Sequence, residues 1–215
     1  MRLGPAMAFK LESIENLFPI PLWRYRVEDH ERLNAALLDE IDVRRKKEKD
    51  IANRNRRGWQ SAHDLFDRKE PAHAELSGVV RKLLVDALKV VAKEIKADKL
   101  NFSMNGWVNV NPPGGYIGPH AHPNGLISGA YYVSVPGAQG AGGSIEFIAP
   151  HPVGYMSGWI KAPMLVDKIR VHPKPGEVLL FPSQLLHWVL PNDSEEDRVT
   201  IAFNLGAKPK GGALA

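Results

Sequence analysis

Three histidines carry the chemistry this chain has to offer. His120 and His122 stand two residues apart, and His187 follows in the run Phe181-Pro-Ser-Gln-Leu-Leu-His-Trp188. Side chains two apart on a strand project to the same face, so the first pair lies close enough to share a cation. His187 opens a later strand, and in a jelly roll such a strand can lie beside the first pair. Two ligands from one strand and a third from a distant one hold one face of a metal and leave the other open, which separates catalytic from structural sites. The plainer alternatives are a surface or core pair for His-x-His, and a place at the core rim for His187 beside Trp188.

Arg198 and Thr200 repeat the two-residue spacing, so they too share a strand face. A guanidinium fork beside a hydroxyl suits one carboxylate, with two charge-assisted bonds and one neutral bond. Their position soon after His187 allows the two strands to pair. The competing reading is a surface arginine balancing Glu195, Glu196 and Asp197. Trp107, Asn109, Asn111 and Tyr116 precede the metal pair and are candidates for the pocket wall, with Trp59 and Gln60 reaching over its mouth. For each of these, packing or turn formation is the alternative role. His30, His63, His73, His151 and His172 have no partner in pattern and are read as surface or rim residues.

These residues need a scaffold, and the chain falls into two textures. Residues 29 to 99 read as helical. One stripe runs through Leu33, Ala36, Leu37, Glu40 and Ile41; a longer one runs through Leu76, Val79, Val80, Leu83, Leu84, Ala87, Leu88, Val91 and Ile95, with Lys and Asp opposite. Gly58-Trp59-Gln60-Ser61 between them reads as a short strand or turn. From residue 100 onward short strands alternate with Gly/Pro turns: 102–111, 126–135, 144–148, 166–171, 177–181, 187–190 and 199–205. Evenly spaced short strands predict a sandwich or jelly roll with the earlier helices packed on an outer sheet face, a mainly β protein with packing helices (α+β). A single domain over 1–215 is expected, with a helical support region at 17–99, a jelly-roll core at 100–206 and a loose C-terminal tail at 207–215.

Composition bounds the chemistry further. The chain has 215 residues, 44% hydrophobic and 24% charged, and no cysteine. Disulfides, thiolate zinc sites, iron–sulfur clusters and cysteine nucleophiles are excluded together, which fits a reducing compartment. No stretch has the length of a signal peptide's apolar region or a membrane helix, so no membrane partner and a cytoplasmic location are expected. The net charge of +4 is local. Residues 41–57 hold eight basic and three acidic side chains, so the remainder of the chain is slightly acidic. The absence of aromatic or groove-reading motifs favours a solvated helix face over a nucleic-acid patch there.

Taken in order, His120-x-His122, Tyr131-Tyr132, Gly142-Gly143-Ser-Ile-Glu-Phe, Pro175-Gly176-Glu-Val-Leu-Leu-Phe-Pro-Ser, His187 and Arg198-Val-Thr200 resemble the iron(II)/2-oxoglutarate-dependent oxygenases, in their prolyl-hydroxylase-like branch. Leu17-Phe-Pro-Ile-Pro-Leu-Trp23, Gly58-Trp-Gln-Ser61 and the spacing from His122 to Tyr132 are similar to a family of small 2-oxoglutarate/iron(II) oxygenases from bacteria and phages. The resemblance covers about residues 17 to 206. It implies a double-stranded β-helix (a jelly-roll, cupin-like barrel) with Fe(II) held by His120, His122 and His187. It further implies that 2-oxoglutarate chelates the metal, with its far carboxylate on Arg198 and Thr200 and with Tyr132 and Ser128 beside it. O2 would be the second cosubstrate, succinate and CO2 the by-products, and hydroxylation of an unactivated C–H bond the reaction.

One position departs from the family. Most of the superfamily has Asp or Glu where this chain has His122, so the site is one unit more positive and attracts an anionic cosubstrate more strongly. Three histidines also serve zinc hydrolytic sites and cupin dioxygenases. A three-histidine metalloenzyme without 2-oxoglutarate and a non-catalytic jelly-roll metal-binding protein are therefore the alternatives. Glu146 is a candidate replacement carboxylate, though its strand position points to the other side of the sheet. The substrate class stays open among protein side chains, amino acids, metabolites and modified nucleotides, as does the oligomeric state.

Overall fold

A computed structural model describes residues 12–13, 18–51, 54–91, 99–137, 141–151, 159–160, 162 and 165–211. Leu17, Ile95 and the last four residues of the expected tail lie outside them. The elements in chain order are β1 (Trp23–Arg26), α1 (His30–Lys47), β2 (Asn55–Arg56), β3 (Trp59–Gln60), a 3-10 turn (Leu65–Asp67), α2 (Pro71–Val91), β4 (Leu100–Asn111), β5 (Tyr116–His120), β6 (Ile127–Ser134), β7 (Ile145–Ile148), β8 (Lys168–Val171), β9 (Glu177–Pro182), β10 (His187–Val189) and β11 (Arg198–Pro209). They form a six-stranded sheet in the order β1-β9-β6-β11-β4-β3 and a five-stranded sheet in the order β2-β5-β10-β7-β8. All pairings are antiparallel, and the two sheets make a double-stranded β-helix.

The large sheet is buried on both faces, and strict alternation assigns each residue its side. Val178, Leu180, Tyr131, Val133, Ile201 and Phe203 pack with Leu33, Leu37, Ile41, Leu76, Val80 and Leu84 of the two helices. Their neighbours Leu179, Phe181 and Tyr132 pack with Ile145, Phe147 and Val171 of the small sheet. A one-residue slip would exchange the two faces, so burial on both sides holds the register firmly. Each fully buried leucine of the helix layer contributes about 1.5–3 kcal/mol. The helices are anchored by polar contacts as well. Tyr131 Oη donates to Asn34 Oδ1 at 2.5 Å, and the Glu40 carboxylate accepts from the Ala72 and His73 backbone N–H groups at 2.8 and 3.0 Å. Those amides are orphan donors in the first turn of α2, which starts at Pro71, so a side chain of α1 caps α2.

Three expectations are corrected here. The support region is not purely helical, because β1 pairs with β9 at the edge of the large sheet and Arg24 and Arg26 both reach Glu177. Its Trp-Arg-Tyr-Arg alternation is too short to read without the partner strand. The tail is not loose from residue 207: β11 runs to Pro209, paired with the start of β4 at Leu100. Its composition is that of coil, but a long neighbouring strand supplies backbone hydrogen bonds whatever the side chains. Finally, His73 is buried, with Nδ1 2.6 Å from the Glu40 carboxylate.

Candidate functional site

β5 and β10 run side by side with His120 directly opposite His187, which is how two histidines far apart in the chain meet. His122 lies just past the end of β5. Its backbone N–H donates to Ser183 O at 2.8 Å and its carbonyl accepts from Gly125 N at 2.9 Å, which pins the turn. One ligand nitrogen from each of the three imidazoles lies within 4.8 Å of the others. His120 Nδ1 and His187 Nδ1 each sit 2.8 Å from a backbone carbonyl, of Gly118 and Leu185. A carbonyl only accepts, so each Nδ1 carries the proton and each Nε2 presents a lone pair to the cluster.

Electrostatics favour the neutral, ligand-ready form. Desolvation lowers the pKa of all three imidazoles, to about 4 at His122 and about 3 at His187, and their mutual repulsion adds to it at those two. Phe181 and Phe147 flank the His187 ring at 4.7 and 6.1 Å between centroids. Three converging neutral nitrogens with one face open to the cavity suit a divalent iron. Glu146 does not join them. It faces the opposite side of the small sheet, accepting from Trp188 Nε1 at 2.9 Å and Arg170 Nη2 at 2.9 Å, because β10 and β7 pair in register and Trp188 and Glu146 point outward together.

The cluster opens into a cavity of about 640 Å³ that also exposes Arg198, Thr200, Tyr132 and Ser128. Arg198 is only 2% exposed. Its Nε donates to Gly143 O at 2.9 Å, and its Nη1 lies 3.5 Å from both Asn111 Oδ1 and Thr200 Oγ1. Gly143 presents that carbonyl from a left-handed backbone conformation, φ +66°, and a Cβ there would press on the arginine side chain. No acidic side chain pairs with Arg198 among the described residues. Burial lowers its pKa, the mark of a cation short of a counter-charge. Tyr132 Oη, also buried, has no hydrogen-bond partner among the described residues, and its ring lies 5.4 Å from the guanidinium carbon. Burial pushes this phenol up to about 12, so it remains a donor. An unpaired buried cation, an orphan hydroxyl and a threonine in one cavity with three histidines fit a carboxylate-bearing cosubstrate that chelates a metal.

The remaining expectations divide. Trp107, Asn109 and Gln60 line the cavity, whereas Trp59 packs into the helix-side core. Asn111 and Asn55 brace the arginine from behind, with Asn111 Nδ2 donating to Asn55 Oδ1 at 2.6 Å. Tyr116 does not line the cavity. Ile117 and His120 do, although they are three apart, because β5 carries an extra residue where it pairs with β10. That bulge turns Tyr116 to the other face. Ser128 lines the cavity, but its Oγ is already engaged, 2.8 Å from Ser183 Oγ and 2.6 Å from Asn204 Oδ1. Nor does Arg198 sit on a strand paired with that of His187; β11 belongs to the opposite sheet, so the two meet across the barrel. The sequence reading missed His63 and Arg54. His63 stacks on Trp107 with centroids 4.3 Å apart and lies 3.1 Å from Gln60 Nε2, so its closeness to the Gly58–Ser61 motif was the available signal. In the basic segment, Arg44 is buried between Glu48 and Asp64, each at 2.9 Å, and Arg45 pairs with Asp197 at 2.6 Å.

Known proteins share the arrangement. Residues 105–204 match the model of the family described as "Putative 2OG-Fe(II) oxygenase"; this segment spans the three histidines, Arg198 and Thr200. No curated protein matches the chain. Among solved structures, a prolyl-4-hydroxylase from Pseudomonas putida is 15% identical with a TM-score of 0.60, over 86% of this chain and 91% of that one. HygX from Streptomyces hygroscopicus, solved with nickel, 2-oxoglutarate and hygromycin B, is 16% identical with a TM-score of 0.57, covering 89% and 84%. A prolyl hydroxylase from Trichoplax adhaerens, in complex with a hypoxia-inducible-factor peptide fragment, is 15% identical with a TM-score of 0.57, covering 86% and 83%. Among the described residues no helix is long and apolar enough to cross a membrane. The match over residues 105–204 makes this part of the chain similar to the 2-oxoglutarate/Fe(II) oxygenases, and the solved structures share its fold.

Proposed function

We propose that this oxygenase hydroxylates an unactivated C–H bond of a substrate entering the 640 Å³ cavity, with Fe(II) on His120, His122 and His187 and the far carboxylate of 2-oxoglutarate on Arg198. The observation that carries the reading is the buried, unpaired Arg198 in the same cavity as the three-histidine cluster. When bound, iron and 2-oxoglutarate supply the oxidising power: O2 delivers one oxygen atom to the substrate and the other to succinate, with loss of CO2.

The chain's own groups position these partners. The Nδ1–carbonyl bonds of His120 and His187 hold both rings with Nε2 inward. Arg198, Thr200 Oγ1 and Tyr132 Oη converge on one carboxylate, satisfying the cation and the orphan hydroxyl in one step. Ile145, Phe181 and Val189 make the cavity floor apolar and keep water from the metal side. His122 adds no negative charge, which leaves the dianionic cosubstrate to neutralise the metal.

Anaerobic addition of Fe(II) and then 2-oxoglutarate to metal-free protein tests the assignment through the weak visible metal-to-ligand charge-transfer band. The band is expected in the native protein and lost in Arg198→Ala and His187→Ala at the same concentrations. Iron binding without a band in the native protein would refute the cosubstrate assignment.

A further inference from the structure

The cavity has a one-sided charge that the cosubstrate does not use up. Among the described residues three cationic side chains line it, Arg54, Arg198 and Lys208, and no aspartate or glutamate does. With iron and 2-oxoglutarate cancelling each other, three neutral imidazoles and Arg198 leave one positive charge, and Arg54 and Lys208 raise the excess. A cavity that combines a low dielectric with one sign of charge concentrates the opposite sign.

Arg54 is placed there by the sheet. β2 pairs with β5 at Asn55 opposite Ile117 and Arg56 opposite Tyr116. One step further, Gly118 N donates to Arg54 O at 3.1 Å, so the residue hangs on the rim beside the strand that ends at His120. It forms no ion pair among the described residues, whereas Arg44 and Arg45 of the same basic segment do. Gln60 and His63 line the same cavity, and His63 lies on Trp107 with a ring separation of 4.3 Å. The rim therefore offers a free cation, an amide and a flat aromatic wall within reach of the metal face.

We infer that the substrate of this site is a small organic anion, a carboxylate or a phosphate ester, whose charged group binds Arg54 while its body lies along the wall made by His63 and Trp107. The inference rests on reading the site as an oxygenase. A cavity of about 640 Å³ is the size of a small-molecule site.

The test uses the whole protein carrying Zn(II) in place of iron and saturated with 2-oxoglutarate, so that Arg198 is occupied. Calorimetric titration with 3-phenylpropanoate, phenyl phosphate and the neutral 3-phenylpropanamide reads binding without turnover. At least one anion is expected to bind more tightly than the amide, and the two anion titrations separate carboxylate from phosphate. Arg54→Gln should weaken the anion about tenfold, the scale of one lost charge-assisted interaction, without changing amide or 2-oxoglutarate affinity. Arg54→Lys, which keeps the charge and the backbone carbonyl bond, should retain most of the anion affinity. Equal binding of amide and anions, no binding of either anion, or anion affinity that survives Arg54→Gln and falls only in Lys208→Gln would each overturn the inference. Failure of 2-oxoglutarate to bind the native protein, read in a separate titration, would instead refute the oxygenase reading itself.

Discussion

In the six-stranded sheet β11 pairs with β4 residue for residue from Arg198 to Pro209, opposite Asn111 to Leu100. In the five-stranded sheet β5 and β10 share a short, bulged contact in which the register shifts between His187 and Val189. The first sheet is packed on both faces, by helices on one side and by the small sheet or the cavity on the other. The second carries the three-histidine cluster on its inner face and the Glu146–Arg170–Lys168 contacts on its outer face. Stability is thus concentrated where pairing is long and regular, and ligand geometry where pairing is short and interrupted. The bulge that weakens the small sheet is also what brings Ile117 and His120 to the same face. The two functions meet at β11, whose odd-numbered residues Val199, Ile201, Phe203 and Leu205 belong to the core and whose even-numbered Arg198 and Thr200 face the cavity.

This division predicts that single substitutions separate folding from chemistry. The largest effect is expected from His187→Ala in the small sheet: iron retention falls to the level of buffer on metal analysis, while the midpoint of thermal unfolding of metal-free protein moves by only about 2–4 °C. Phe203→Ala in the large sheet should do the reverse, costing about 3–5 kcal/mol in urea unfolding while folded molecules keep their iron. Arg198→Ala lies between the two, since its strand is core on one side and cavity on the other. It should weaken 2-oxoglutarate at least about 30-fold, the cost of truncating one member of a buried charge pair, with iron affinity retained in an anaerobic titration.

Tyr132→Phe has effects of opposite sign. Removing a buried hydroxyl that has no partner should stabilise the ligand-free protein by about 1 kcal/mol, yet weaken 2-oxoglutarate about fivefold if that hydroxyl meets the carboxylate. Stabilisation with unchanged cosubstrate affinity would remove Tyr132 from the site. The smallest effect concerns the helix layer. His73 is held neutral, its pKa lowered first by burial and then by Arg44 and Arg68, against the opposing pull of Glu40; Asp64 and Glu48 share that network through both arginines. Because the unfolded imidazole takes up a proton near its ordinary pKa of about 6.5, the stability His73 supports is present above that pH and is lost as pH falls below it. His73→Gln should therefore flatten the fall in thermal stability of metal-free protein between pH 7 and 5, and an unchanged slope would refute this.

Much of this division could be read from residue types. The stripe from Leu76 to Leu88 marked α2, because a period of three and four residues has one structural meaning. The runs at 126–135, 177–181 and 199–205 fall on β6, β9 and β11 because apolar residues bounded by Gly and Pro turns leave few alternatives. β1 and β5 were not legible, since each is short and owes its strand conformation to the neighbour it pairs with. His63 looked like a surface or rim residue and Arg54 like part of a solvated basic segment, because nothing local ties either to the histidine cluster.

The amino-acid sequence by itself determined the chemical inventory: His120, His122 and His187 without a cysteine or a matching carboxylate, an arginine and a threonine two apart, and the alternation that sends them to a different face from the core. These are properties of spacing along one strand, and they survive without knowledge of any partner. Only the tertiary structure decided that His120 stands opposite His187, that Arg198 approaches from the other sheet, that Tyr116 turns away and that Arg54 lines the same cavity as the histidines. Those outcomes depend on which strands pair and where a bulge shifts them. Pairing of that kind is set by burial across the closed barrel, between segments far apart in the chain, and no local pattern encodes it.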